Sequence, residues 1–270
     1  MTVMYPVPMC PPAGFQPATL GRTGLAVGRL GLGASYGVPA AAVERGFEAG
    51  MNYLFWASIR TARFAAALRN LKPKRDRMVL VIESYSRVAG LIGWSVERAL
   101  RTIGYDHADV LLFGMWNKPV PGRFLEAAGR LKERGLVRFI GVSTHKRSLV
   151  PKLAADFDVA HFRYNAVHTG AERDIFPRLA ARNRAGLAAF TATSWKQLLG
   201  HRRIPGNERV PTAGDCYRFV LARPEIDVCL TGPGQAGHVE EAIAALKRGP
   251  MAEEELAWMR RVGAAIHGGK

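Results

Sequence analysis

Eight short apolar runs, each followed by an amphipathic stretch, constrain this chain more than any other feature. The runs are Val27–Gly33, Met51–Phe55, Met78–Ile82, Asp109–Phe113, Val137–Val142, Val159–Tyr164, Gly186–Thr191 and Asp227–Leu230. They are continuous rather than alternating, which is the pattern of strands buried on both faces. Helical patterns fill the intervals: Ala40–Ala49, Arg60–Leu71, Gly93–Ile103, Arg123–Arg134, Lys146–Ala155, Asp174–Asn183, Ala213–Ala222 and His238–Lys247. Gly93–Ile103 turns Val96, Leu100 and Ile103 to one side and Glu97, Arg98 and Arg101 to the other. Gly135 marks the end of one helix, and Thr212-Ala213-Gly214-Asp215 reads as a capping box at the start of another. Met251–Ile266 is an additional helix, acidic in its first turn and basic later, as the helix dipole favours.

Eight strand–helix units in 270 residues match a closed parallel (β/α)8 barrel. A doubly wound open sheet is the alternative, but no G-x-G-x-x-G run follows a strand and opens a helix; Gly31-Leu32-Gly33 leads into Ala34-Ser35-Tyr36-Gly37. Residues 18–270 are expected to form one α/β domain. Residues 1–17, rich in proline, are expected to be a loosely ordered lead-in rather than a secretory signal. No run is long enough to span a membrane. The three cysteines, Cys10, Cys216 and Cys229, have no metal-ligand spacing, and reduced thiols in a cytoplasmic protein are expected.

Net charge is +16, from 38 basic and 22 acidic residues. The basic residues are spread over many helix faces; the densest groups are Arg69–Arg77 and His201-Arg202-Arg203. No base-reading or stacking motif accompanies them, so nucleic-acid association is the weakest reading, and an anionic small molecule explains the charge at least as well.

Leu20-Gly21-Arg22-Thr23-Gly24-Leu25 followed by Val27–Gly33 resembles the opening of the aldo-keto reductases. Gly50-x-Asn52-Tyr53 resembles their second strand, Gly135–Ser143 their fifth and Tyr164-Asn165 the end of their sixth, and the similarity runs from Leu20 to Leu246. The resemblance implies a (β/α)8 barrel of bacterial oxidoreductase type that reduces carbonyls with NADPH, using a tyrosine acid supported by Lys, Asp and His. Those four positions fall on different residues here. The aspartate falls on Phe55, the tyrosine near Arg60, the lysine on Tyr85 and the histidine on Gly114. A tyrosine needs a nearby cation to donate a proton at neutral pH, so the usual mechanism is not expected. For NADP(H), the resemblance carries Ser143 and Glu241 across; Thr144, His161, Ala192, Gly232 and His238 replace the other contacts. Phe190 or Trp195 could stand in for the ring that stacks on the nicotinamide. Thr231-Gly232-Pro233-Gly234 precedes a helix and could hold a phosphate through backbone amides, although such turns are also ordinary loops. A Tyr-Arg-Phe-Val-Leu helix, here Tyr217–Leu221, is similar to a divergent branch of the family whose reaction the fold does not establish.

Strand alternation places Glu83 with Tyr85, and His161 with Arg163, on the inward face. Glu83 and Arg163 are expected to pair inside the barrel with Tyr85 above them, and breaking such a pair costs about 3–5 kcal/mol. A purely structural pair is the competing reading. These four residues are the catalytic candidates. Phe55, Trp56, Trp116, His145 and Trp195 lie at strand ends and are substrate-binding candidates, the tryptophans pointing to a flat aromatic ligand or, alternatively, capping the core. His145 and His168 are possible acid–base groups, or ordinary loop histidines. The cofactor candidates are Ser143, Thr144, Thr231, Gly232, Gly234 and Glu241, and no metal site is expected. The leading expectation is an enzyme acting on a small aromatic molecule with a non-standard mouth, as a monomer or small homo-oligomer. The alternative is an inactive ligand-binding or regulatory protein.

Overall fold

The structure, a computed structural model, describes residues 14–57, 61–180, 183–200, 204, 206 and 208–268. An antiparallel hairpin opens it, formed by β1 (Ala18–Thr19) and β2 (Ala26–Val27). Eight parallel strands follow: β3 (Leu30–Gly33), β4 (Tyr53–Trp56), β5 (Val79–Ser84), β6 (Ala108–Phe113), β7 (Val137–Thr144), β8 (Val159–Arg163), β9 (Gly186–Phe190) and β10 (Val228–Thr231). They close into a barrel where β10 pairs with β3, Leu230 opposite Gly31, which excludes the open sheet. The α-helices are α1 (Ala40–Glu48), α2 (Ala62–Asn70), α3 (Ile92–Ile103), α4 (Gly122–Glu133), α5 (Val150–Asp156), α6 (Ala171–Asp174), α7 (Ala213–Leu221), α8 (Ala236–Arg248) and α9 (Glu253–Gly268).

The period of two divides each strand between two cores. Tyr53, Val79, Val81, Val110, Leu112, Val159, Ala188 and Val228 fill the barrel interior, with Leu20 and Val27 of the hairpin region packed into the same cluster. Leu54, Leu80, Ile82, Leu111 and Phe162 face outward, in the core formed with helix residues such as Val96, Leu100 and Phe124. Three aspartates fix the register at the strand starts. Asp109 accepts the Leu80 amide at 2.8 Å, Asp158 the Ile140 amide at 2.9 Å and Asp227 the Leu187 amide at 2.9 Å. Each also meets an arginine: Arg75 and Arg138 at Asp109, Arg22 at Asp158 and a bidentate Arg184 at Asp227.

Two elements differ from the sequence expectation. The run Val27–Gly33 splits into β2 and β3, because Asn52 captures the chain between them: its Oδ1 accepts the Gly28 amide at 2.8 Å, and its Nδ2 donates to Ala26 and Arg77 carbonyls. A Cβ at residue 28 would lie 1.8 Å from the Gly50 carbonyl oxygen, so only glycine fits there. The helix expected over Asp174–Asn183 is replaced by the short α6 and a 3-10 turn at Phe176–Arg178. Pro177 disfavours helical continuation through this segment. Of the lead-in expected over 1–17, residues 1–13 lie outside the described residues, as do Cys10, Arg60 and the His201-Arg202-Arg203 group. Phe15 donates its amide to the Leu246 carbonyl at 2.9 Å.

The capping box forms: Thr212 accepts the Asp215 amide and Asp215 accepts that of Thr212. Asp215 also accepts from Arg209. One turn on, the buried Arg218 clamps α9 to α7. It donates to both Glu255 oxygens at 2.7 Å and to the Gly249 and Pro250 carbonyls. The hydrogen bonds from Arg218 lead the effects that hold the Glu255 carboxyl down to about 2. A carboxyl lowered on folding stabilises above its unfolded value near 4 and loses that contribution as pH falls towards 2. Replacing Arg218 by Met leaves Glu255 without its main partner. Urea denaturation at neutral pH should show a loss of about 3 kcal/mol, with a shallower decline in the variant than in the parent as pH falls from 4 to 2.

Candidate active site

The C-terminal ends of the strands form a mouth over the barrel. A cavity of about 550 Å³ opens there between the ends of β3, β4, β9 and β10 and the helices α7 and α8. Phe55, Phe190, Trp195, Tyr217 and Tyr36 supply its aromatic lining, and Lys196, Thr231, His238 and Glu241 its polar groups. Gly33, Gly232 and Gly234 bring backbone to its surface.

Below the cavity, Tyr53 Oη and His161 Nε2 lie 2.7 Å apart in a fully buried hydrogen bond. Burial alone pushes the His161 imidazole down to about 3, so it is neutral at physiological pH. Burial also raises the Tyr53 hydroxyl far above its ordinary value, with the negative charge of Glu83 adding to the effect. The Phe55 ring lies 5.3 Å from the His161 ring and closes this polar pair off at its mouth side. Tyr53 was not singled out in the sequence. It stands two residues before Phe55, and alternation alone places both inside.

The four inward polar candidates do not form one floor. His161 is committed to Tyr53. Glu83 and Tyr85 lie together beside Gly114: a Cβ built there would come within 2.8 Å of Glu83 Oε1 and 3.0 Å of the Tyr85 ring. Arg163 does not pair with Glu83, contrary to expectation. Among the described residues, the ion pairs do not join them, and the Arg163 guanidinium instead lies 5.6 Å over the Trp195 ring. Strand twist and separation around the barrel explain this, since β5 and β8 are three strands apart.

The aromatic candidates divide by direction. Phe55 and Trp195 line the cavity, whereas Trp56, adjacent to Phe55, points outward and stacks on Phe64 of α2. Trp116 packs edge-on against Phe124 at 4.9 Å, beneath the Arg87 guanidinium. His145 sits edge-on to Phe190 at 5.0 Å, and burial followed by the charge of Arg163 lowers its imidazole. His168 is buried in the loop after β8, 6.5 Å from Trp195. Among the cofactor candidates, Thr231, Gly232, Gly234 and Glu241 line the cavity. Ser143 and Thr144 are buried at the end of β7, where Thr144 Oγ1 donates to Asn117 Oδ1 at 3.1 Å. Glu241 accepts the Gly214 amide at the start of α7 at 3.0 Å.

The loop carrying Trp195 is held in an uncommon backbone conformation. Thr191, Ser194, Trp195 and Lys196 all have positive φ, between 49° and 69°. For a β-branched residue such as Thr191 this is a strained state, of the kind kept where the surroundings enforce it. Asn165 supplies part of that enforcement by donating to the Thr191 carbonyl at 2.7 Å while its Oδ1 accepts the Val167 and His168 amides.

Solved structures share this fold. An aldo-keto reductase from Bacillus halodurans in its holo form superposes with a TM-score of 0.76 at 18% identity, over 92% of this chain and 96% of that one. The fold is that of the aldo-keto reductases. A Klebsiella pneumoniae aldo/keto reductase in complex with NADP and acetate gives 0.76 at 20% identity, over 94% and 96% of the two chains. A thermostable aldo-keto reductase bound to the inhibitor epalrestat gives 0.73 at 19% identity, over 92% and 100%. No family model matches the chain.

Two outcomes follow from this geometry. His161 binds a proton in the unfolded chain near pH 6.5 and in the fold only near 3, so stability is full above pH 6.5 and falls as pH drops through that window. Denaturation at pH 7.5 and 4.5 should show this decline in the parent and a flatter profile in His161→Gln. Gly114→His must displace Glu83 and the Tyr85 ring, and should cost about 1–3 kcal/mol in the same assay.

Proposed function

We propose that this chain is a divergent oxidoreductase of the aldo-keto reductase family that takes a small, flat, aromatic molecule at its C-terminal mouth and works without a tyrosine–lysine acid. The observation that carries the reading is the cavity of about 550 Å³ walled by Phe55, Phe190 and Trp195. An apolar recess with a few convergent polar groups, at the functional end of a barrel, is what a small-molecule site requires.

NADP(H) is the cofactor that such a fold implies, and Klebsiella pneumoniae relatives of this fold hold NADP or NADPH. The lining residues supply groups that suit the parts of a dinucleotide. At one end, Thr231 and Gly232–Gly234 precede α8, with Lys196 and His238 as cationic or hydrogen-bonding groups for phosphate and Glu241 for the base. At the other end, Phe190 offers a ring face for a nicotinamide. When bound, this cofactor supplies or accepts a hydride. The chain's own contribution is to exclude water with Phe55 and Trp195, to orient a flat substrate against them, and to keep His161 neutral and occupied with Tyr53. Tyr85 and Glu83, beside Gly114, are the groups this reading assigns to proton handling.

A second reading, an inactive ligand-binding protein, is favoured by one observation. The deepest polar groups, Tyr53 and His161, satisfy each other rather than face the cavity. Titrating NADPH while following tryptophan fluorescence separates the two. Saturable binding in the micromolar range, weakened roughly 10-fold in Lys196→Ala by loss of a charged contact, is expected. No binding at millimolar NADPH, with aromatic ligands still bound, would overturn the oxidoreductase reading in favour of the second.

A further inference from the structure

Arg163 is the feature of the mouth that the reading above leaves without a task. It ends β8 with its Cα opposite Phe190 of β9, on the inward face, and is only partly exposed. Its guanidinium lies over the Trp195 ring. Among the described residues, no carboxylate pairs with it and no hydrogen bond from it is formed. Other arginines screened from water have partners: Arg75 has Asp109, Arg184 has Asp227, Arg218 has Asp215 and Glu255, and Arg29 has the Ile226 and Asp227 carbonyls. The charged group acting on Arg163 is a second cation. Arg147, packed flat on Gly170 and paired with Asp174, lowers the Arg163 guanidinium after burial does. His145 is lowered in turn by burial and by Arg163.

A partly buried cation with no acid of its own, close to a second cation, is favoured when something anionic completes the site. A guanidinium presents a planar fork of donors that matches a carboxylate in two parallel hydrogen bonds. Trp195 holds that fork in place from one side. Trp195 lines the cavity and Arg163 stands against its ring just beyond that lining, so an aromatic ring lying on Trp195 can direct a substituent past its edge to Arg163.

We propose that the molecule taken by this mouth is an aromatic carboxylate, its ring against Trp195 and its carboxylate paired with Arg163. This rests on the small-molecule site proposed above and specifies its substrate class, making Arg163 the residue that selects for charge.

The test uses the full chain and two isosteric probes, 2-naphthoate and 2-naphthamide, measured by calorimetry. The parent should bind naphthoate at least 10-fold more tightly than naphthamide, as loss of a charge-assisted contact implies. Arg163→Met should abolish that preference with little change for the amide, and Arg163→Lys should restore part of it. Arg163→Met should also melt no lower than the parent, because it removes an unpaired charge; a lower melting temperature together with equal losses for both probes would show a structural role and overturn the proposal. Equal affinities of the parent for both probes would overturn the proposal alone and leave the cavity reading standing. Binding of neither probe would overturn both it and the aromatic specificity of the site, while the NADPH titration independently decides the oxidoreductase class.

Discussion

The hydrogen bond between Tyr53 and His161 is the interaction on which the upper half of the barrel rests. A closed eight-stranded barrel has no room for voids and no water to satisfy polar groups at its axis. These two rings fill the axis and satisfy one another, and burial keeps the imidazole uncharged so that no counter-ion is needed. Phe55 then sits on His161 rather than on a solvated polar group. Everything above that plane, including the aromatic wall of the cavity, is built on an apolar surface that this pair makes possible.

The barrel was legible because its strands are buried on both faces, and eight uninterrupted apolar runs have few other ways to be satisfied. The site was legible only in part. Alternation correctly turns Phe55 inward, and the same rule turns its neighbour Trp56 outward onto Phe64; nearness to a strand end is a weaker guide than parity. Parity also says which face Glu83, Tyr85, His161 and Arg163 share, but not how far apart the barrel's circumference carries them. The left-handed run through Trp195 has no glycine to announce it. Part of what holds it is Asn165 on the preceding loop, which bonds the Thr191 carbonyl across 26 residues, a contact that no local pattern reveals.

The strongly basic composition also finds a structural use. Much of it is spent in fixed pairs with aspartates at the strand starts and with Glu255 on α9, where arginine joins backbone register to side-chain charge. What distinguishes the mouth is the opposite condition. At the end of β8, Arg163 has no carboxylate among the described side chains, unlike the arginines at the strand starts.

The bare backbone at residue 114 has a consequence for how such a chain can vary. The space a side chain there would need belongs to Glu83 and Tyr85, which come from the neighbouring strand. The three positions are therefore sterically coupled. With Glu83 and Tyr85 in place, a large residue at 114 introduced alone gives a poorly packed chain. A bulkier residue at the end of β6 becomes tolerable only when 83 and 85 change with it, so the cost of the three changes together is not the sum of the three made singly.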